Sequence, residues 1–351
     1  MKNNSLINLV VVLISSIAML VLFEIIFRFT YEAKLPQPRM VHYKDQQYPW
    51  CCGPQGHDEH GLWSFIPNES YRHCYDGGDK RQFEEDGCIT FDINNLGFRD
   101  HDRSIEKPEN VYRIIVIGDS FTVGEATKFD DIFTSVLSKK FETKTIEGKK
   151  IEVINLGIPG EHTYGEYQRY LIIGRKLNPD FVIVQWNTND FPSESAYEQH
   201  QKVIGYKYSE MFKDSSRYEF SHLLHFVWYR WKRHSISKSL ISISSNELRN
   251  GVTQFQYIKK LMQTASTDQA QFLVIIFPEL IRFKNYPYQN MIDSLSEYAR
   301  KEDIDLLNLI PDLAKYPDRK LWAHEVDHHP NALAHRIAAD AIYEKLIHLT
   351  D

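Results

Sequence analysis

Residues 111–122 read VYRIIVIGDSFT, and this stretch decides the fold. Its apolar run from Tyr112 to Ile117 is too short for a helix, so it predicts a buried strand. The run ends in Gly118-Asp119-Ser120, a tight turn that presents a serine hydroxyl at the start of the next helix. A strand, a sharp turn and a helix in this order indicate the first unit of an α/β sheet.

Four further apolar runs predict the other strands of this sheet, at Ile151–Leu156, Phe181–Trp186, Gln271–Phe277 and Asp305–Leu309. Polar stretches with helical spacing lie between or after them, at about residues 130–141, 163–176, 252–264, 288–301 and 331–349. Apolar strands that alternate with helices are typical of a parallel sheet covered on both faces. We therefore predict a doubly wound, mainly five-stranded parallel sheet in an α/β domain over residues 111–351.

An apolar run from Leu6 to about Phe27 opens the chain and predicts a transmembrane helix, because about 20 apolar residues cross a bilayer core. A cleaved signal peptide is the alternative, but the run is long for one and no small-residue cleavage site closes it. Glu24 can lie at the membrane interface beside Arg28. We expect an anchor over residues 1–30 that contacts the membrane through residues 6–27; the flanking charges do not decide its orientation.

All four cysteines, Cys51, Cys52, Cys74 and Cys88, lie in a Gly-, Pro- and Asp-rich stretch over residues 31–110, which we call the collar and expect to be rich in loops. Clustered cysteines behind a membrane segment predict two disulfides in an oxidising compartment, with their connectivity open. A metal site with nearby histidines is the alternative, but adjacent Cys51 and Cys52 lack the usual ligand spacing. We predict an extracytoplasmic catalytic domain, periplasmic or at the cell surface.

An insertion at about residues 192–250 separates the third and fourth predicted strands and is longer than a usual crossover. It contains the aromatic and basic run FVWYRWKR at residues 226–233. One interpretation is a packed helix with a basic edge; the other is a rim whose Trp228 and Trp231 stack sugars or touch anionic headgroups. The formal net charge of -6 excludes a basic nucleic-acid footprint, so we expect no nucleic-acid partner.

The ends of the predicted strands carry the residues suited to chemistry, as in other open α/β sheets. Ser120 lies at a helix N-terminus, which stabilises a nucleophile. Residues 157–160 contain glycines whose backbone N–H groups can point at an oxyanion, and Asn189 offers a side-chain amide for the same purpose. Asp327 and His329 precede the last helix and provide a carboxylate and an imidazole for a serine triad.

These blocks together resemble those of the SGNH hydrolase superfamily, the GDSL-like lipases and esterases, over about residues 112–349. Gly118-Asp119-Ser120 matches its first block, and Asn189 and Asp190 match its third, although Asn187 stands where a glycine is expected. The resemblance implies a flavodoxin-like fold and an oxyanion hole formed by the N–H groups of Ser120 and Gly160 and the amide of Asn189. Gly157 is the alternative to Gly160.

The last block of the family is usually Asp-x-x-His, whereas Asp327 stands two residues before His329. Glu325 stands three residues before His328, so a literal spacing would select that pair. We predict His329 as the base, because the Pro330 and Asn331 that follow it resemble the His-Pro-Asn of many bacterial members and favour an extended residue before a helix start.

The resemblance implies a serine esterase with the triad Ser120, His329 and Asp327, and it requires no metal or organic cofactor. Its expected substrate is an acylated small molecule or polysaccharide, and we expect removal of O-acetyl or other acyl groups from an extracytoplasmic carbohydrate. One alternative is an O-acetyltransferase that uses the same triad. The other is a catalytically silent binding or assembly module in polysaccharide biosynthesis, because folds outlive chemistries.

Overall fold

The computed structural model describes residues 2–31, 40–44, 46–49, 56–57, 62–75, 82–190, 216–249, 255–325 and 327–350. The chain divides into two compact units, one of Met1–Gln37 with Glu198–Ile243 and one of Pro38–Tyr197 with Ser244–Asp351. We call them the anchor unit and the catalytic unit.

The strands of the described residues are β1 Met40–Tyr43, β2 Gln46–Pro49, β3 Gly56–His57, β4 Trp63–Ser64, β5 Ser70–Cys74, β6 Cys88–Asp92, β7 Val111–Ile117, β8 Thr145–Ile146, β9 Lys149–Asn155, β10 Phe181–Trp186, β11 Gln271–Ile276, β12 Leu306–Asn308, β13 Trp322–His324 and β14 Asp327–Pro330. The α-helices are α1 Lys2–Thr30, α2 Ser120–Val123, α3 Phe133–Phe141, α4 Thr163–Ile172, α5 His222–Arg249, α6 Phe255–Thr267, α7 Gln289–Lys301, α8 Ile310–Leu313 and α9 Ala332–Thr350.

The main sheet has the strand order β12-β11-β10-β7-β9-β8. The five strands from β12 to β9 are parallel, which confirms the predicted doubly wound α/β sheet. The short edge strand β8 is antiparallel to β9 and was not predicted. Glu147 and Gly148 connect the two strands with positive φ angles, as a two-residue hairpin turn requires. Two residues are too few to show a strand pattern in the sequence.

Both faces of the sheet are buried, because helices cover each of them. Ile115 and Ile117 of β7 belong to the core on one face, while Ile114 and Val116 belong to the core on the other. Helices α4 and α6 contribute to the first core, and α3 and α9 contribute to the second. Alternate residues of one strand thus reach opposite cores, which explains why the strand is apolar throughout.

The collar contains an antiparallel sheet of order β2-β1-β5-β6, where the sequence predicted mainly loops. Tyr71 of β5 and Phe91 of β6 are buried in the same core as β7, so this sheet is part of the core of the catalytic unit. A disulfide joins Cys74 and Cys88, which face each other across β5 and β6. Cys51 and Cys52 lie outside the described residues, so the second predicted disulfide stays a prediction.

The anchor unit contains α1 and most of α5. Residues Ile7–Thr30 of α1 form a helix long and apolar enough to span a membrane. Helix α5 lies within the predicted insertion and buries Trp228 and Ile236. Residues 226–233 are therefore helical, which does not decide between the two interpretations, and residues 191–215 of the insertion lie outside the described part of the chain.

Candidate active site

The turn after β7 places Ser120 at the first position of α2, where the residue is only 8% exposed. The side chain of Asp119 caps this helix and accepts the backbone N–H of Phe121 at 2.8 Å. The helix ends after four residues at Gly124, whose φ of 74° favours glycine. Close packing explains why residue 157, just after β9, is a glycine. A Cβ at this position would lie 2.6 Å from the backbone nitrogen of Val123.

Ser120, His329 and Asp327 lie in one hydrogen-bonded row at the carboxyl end of the sheet. The Nε2 atom of His329 is 2.9 Å from the Oγ of Ser120. Its Nδ1 atom is 2.5 Å from Oδ1 of Asp327, and its backbone N–H donates to the same oxygen at 3.1 Å. A carboxylate that holds Nδ1–H leaves Nε2 as the acceptor for the serine proton.

His328 faces away from this row. Its ring stacks on Trp322 with a centroid distance of 3.8 Å. Neighbouring residues of a strand point to opposite sides, and His328 and His329 both belong to β14. The two-residue spacing from Asp327 to His329 therefore brings His329, and not His328, to Ser120. Asn331 then caps α9 by accepting the backbone N–H groups of Leu333 and Ala334.

The amide of Asn189 lies beside the turn that carries Ser120, and its Nδ2 donates to Oδ2 of Asp119 at 3.1 Å. An amide nitrogen has two hydrogens, so this bond orients the group and leaves its other hydrogen for a substrate oxygen. The N–H of Gly157 is already bonded to Oδ1 of Asn155, whereas Gly160 adopts a positive φ of 71°. The Gly157 N–H is therefore already used within the turn, which argues against Gly157 as the alternative, and Gly160 stays the predicted backbone donor.

Asn187, which stands where the family pattern has glycine, stabilises the turn that carries Asn189. Its Oδ1 accepts the backbone N–H of Asn189 at 3.2 Å, and its own N–H donates to Oδ2 of Asp190 at 2.9 Å. Asp190 and Asp119 thus both accept backbone N–H groups of their own turns. Burial raises the pKa of both carboxyl groups, and burial with the nearby charge of Asp190 raises the pKa of Glu166 well above its usual range.

Three residues beside the triad were missed by the sequence analysis. The O–H of Tyr75, from the collar, donates to Oδ2 of Asp327 at 2.6 Å. Oε2 of buried Glu125 is 3.4 Å from Nε2 of His329. Glu279 follows β11. Burial raises the pKa of its carboxyl group to about 7, although the nearby charge of His329 acts to lower that pKa. The strand-end rule that found Asn189 would also have found Glu279, but no local signal points to Tyr75.

Arg99, a second residue of the collar, contacts the turn that carries Ser120. The guanidinium of Arg99 is buried and donates to the backbone carbonyls of Val123, Gly124 and Thr127. These carbonyls lie at the end of α2, where a helix leaves acceptors without partners. Arg99 therefore satisfies the carbonyls that the short helix leaves exposed. Among the described residues, no group of three or more His, Cys, Asp or Glu could hold a metal ion.

Tyr75→Phe is expected to lower kcat/KM for an ester about tenfold, because one hydrogen bond to a charged group contributes about 1.5 kcal/mol or more. Without the Tyr75 hydroxyl, Asp327 holds the proton on the imidazole more strongly, so the acid limb of the pH–rate profile should move to higher pH. Steady-state kinetics from acid to alkaline pH measures both effects.

Tyr71→Phe is the matched control, since Tyr71 lies in β5, which ends directly before Tyr75, and its hydroxyl accepts the backbone N–H of Ile66. It removes a buried hydroxyl from the same sheet and leaves Asp327 untouched. Equal kinetics and equal pH profiles in the two variants would show that Tyr75 has no part in the triad.

The family described as GDSL-like lipase/acylhydrolase matches residues 114–342. This domain, with its serine at the turn after the first parallel strand, is that of an ester-hydrolysing serine hydrolase. The chain belongs to the GDSL-like lipase/acylhydrolase family, as the resemblance of its blocks predicted.

Solved structures with a similar fold include three esterases or acylhydrolases. The esterase EstA from Pseudoalteromonas sp. is 14% identical, with 68% of this chain and 98% of that chain covered and a TM-score of 0.43. The acetyl xylan esterase AlAXEase is 17% identical, with 67% and 99% covered and a TM-score of 0.41. A lipase/acylhydrolase from Enterococcus faecalis is 11% identical, with 68% and 97% covered and a TM-score of 0.43. No curated protein matches the chain.

Proposed function

We propose that the protein is a serine esterase in which Ser120 is the nucleophile, His329 the general base and Asp327 the residue that orients the imidazole. The observation that carries this proposal is the row of hydrogen bonds from Ser120 Oγ through both ring nitrogens of His329 to Asp327. Serine attacks an ester only when a base accepts its proton, and this geometry provides one.

In the proposed reaction, the Oγ of Ser120 attacks the ester carbonyl carbon while its proton passes to Nε2 of His329. The carbonyl oxygen becomes negative and receives hydrogen bonds from the N–H groups of Ser120 and Gly160 and from the amide of Asn189. Collapse of this intermediate expels the alcohol, which takes the proton from His329, and leaves Ser120 acylated. Water then attacks the acyl group by the same route and releases the acid.

The proposed substrate is an O-acetylated or otherwise acylated carbohydrate outside the cytoplasm. The support for this location is the apolar helix α1 and the Cys74–Cys88 disulfide, because disulfides persist in oxidising compartments. Transfer of the acyl group to a sugar hydroxyl uses the same acyl-enzyme, so the acceptor that reaches acylated Ser120 separates an esterase from an O-acetyltransferase.

The test is turnover of p-nitrophenyl acetate by the full chain in detergent, with and without a soluble oligosaccharide acceptor. We expect free acetate to equal p-nitrophenol in both cases. Acetylated oligosaccharide formed at the expense of acetate would instead establish the transferase. Absence of turnover, together with a Ser120 that does not react with an active-site phosphonate, would establish the silent binding module.

A further inference from the structure

The N-terminus of α5 is fixed to the last turns of α1 by the side chain of Glu24. Its two carboxylate oxygens accept the Oγ–H of Ser221 at 2.7 Å and the backbone N–H groups of His222 and Leu223 at 3.1 Å each. Arg28 bonds Glu24 and also donates to the backbone carbonyl of Phe220 at 2.9 Å. A carboxylate at this position satisfies the first N–H groups of a helix and interacts favourably with its dipole.

Aromatic contacts one turn further along α1 complete this junction. The Phe27 and Phe226 rings lie 4.9 Å apart, and the hydroxyl of Tyr31 is 2.8 Å from Nδ1 of His225. The start of α5 is therefore held at the level of residues 24–31, at the end of α1. The depth at which residues 24–31 lie in a membrane is therefore also the depth of the start of α5.

The charges of α1 define that position. Residues 3–23 carry no charged side chain; Glu24 follows directly and Arg28 four residues later. At about 1.5 Å per residue this uncharged segment is about 31 Å long, close to the hydrocarbon thickness of a bilayer. Charged side chains are costly at the centre of a bilayer, so Glu24 and Arg28 belong at its edge. The first turns of α5 then lie at the boundary between acyl chains and headgroups.

At this boundary the anchor unit exposes an apolar stripe, which we define as Phe220, Leu224, Val227 and Trp231. These four side chains are 48% to 68% exposed. Their spacings of four, three and four residues place them on one side of α5 and of the turn before it. The other side of the helix is buried through His225, Trp228 and Ile236, and Trp228 stacks on Tyr218 with a centroid distance of 5.0 Å.

Basic side chains surround the end of the stripe. Residues 217–238 contain five Lys or Arg and one Glu, and exposed Arg230 is next to Trp231. Trp is the residue most suited to the headgroup level of a membrane, where its ring contacts acyl chains and its N–H stays in a polar layer. Basic residues beside apolar ones are typical of helices that lie on an anionic lipid surface.

We propose that the apolar stripe inserts into the acyl–headgroup boundary of the bilayer that α1 crosses, so that α5 is a second, interfacial attachment of the protein. The partner of the stripe is thus a lipid surface. This inference rests on the proposed membrane anchoring by α1 and adds to it a contact that the anchor helix alone does not provide.

The test uses the full chain reconstituted into phosphatidylethanolamine–phosphatidylglycerol vesicles whose acyl chains are brominated near the glycerol end, since bromine quenches only tryptophans that reach its depth. The wild type should show a quenched component of tryptophan emission that is lost in Trp231→Phe. Leu224→Asn with Val227→Asn keeps Trp231 but should lose most of that quenching, because the stripe no longer favours lipid. Ser237→Asn, exposed on another side of α5, is the matched control and should be quenched like the wild type.

Equal quenching of the wild type and Trp231→Phe would overturn the inference. Alkaline carbonate extraction separates this failure from a failure of the anchor: a chain that stays in the vesicles without Trp231 quenching retains α1 as the anchor and loses only the stripe. A chain that is extracted would contradict the membrane anchoring itself. A stripe shielded from bromine by a second copy of the chain would be recognised by cross-linking that depends on protein concentration.

Discussion

Ser120→Ala is expected to lower kcat for p-nitrophenyl acetate by about 10⁶-fold, the size of loss that removal of a triad nucleophile causes in a serine protease. Alanine removes only the Oγ atom, and the α2 turn keeps the Asp119 cap and the Arg99 contacts. Binding should change little, because the lost interaction forms only during the reaction. Steady-state kinetics measures kcat, and circular dichroism verifies the fold.

The matched control is Ser296→Ala, because the Ser296 hydroxyl bonds only a carbonyl of its own helix α7 among the contacts described. Its kcat should stay within about twofold of the wild type, as for most surface substitutions. A Ser120→Ala variant that retained the wild-type rate would place the nucleophile elsewhere in the chain.

His329→Ala is expected to cause a loss of kcat close to that of Ser120→Ala, because nucleophile and base act as a unit. The double variant Ser120→Ala with His329→Ala should be no slower than either of these two single variants, for the same reason. The neighbouring His328→Ala should stay within about threefold of the wild type, since its ring stacks on Trp322, a contact of about 1 kcal/mol that lies away from Ser120. Kinetics of the three variants at one pH provides the comparison. A large loss of kcat in His328→Ala and a small one in His329→Ala would instead identify His328 as the base.

The sequence predicted the residues whose positions depend on local structure. Ser120 follows a strand that is apolar throughout, and His329 precedes a proline and the helix cap Asn331, so neighbouring residues determine both positions. The five parallel strands were found for the same reason. Glu279 was within reach of the same argument, because it follows β11 as Asn189 follows β10.

The remainder depends on contacts between distant parts of the chain. Tyr75 reaches Asp327 across 252 residues of sequence, and nothing in the residues around Tyr75 indicates this. The collar strands are two to five residues long and interrupted by Gly, Pro and Asp, so their alternation is too short to recognise. The spacing of Asp327 and His329 departs from the family pattern, and the geometry of β14 shows that two residues suffice for the contact.

The collar residues Tyr75 and Arg99 contact the proposed active site from outside the segment that the family shares. That segment begins at residue 114, so a fragment trimmed to its limits would retain the proposed nucleophile and base but lose the Tyr75 hydroxyl that bonds Asp327 and the Arg99 guanidinium that bonds the turn after Ser120. Tyr75 directly follows Cys74, which is bonded to Cys88. Substitutions in the collar are thus constrained by chemistry as well as by folding, and natural variation there should be narrower at these positions than in the neighbouring turns.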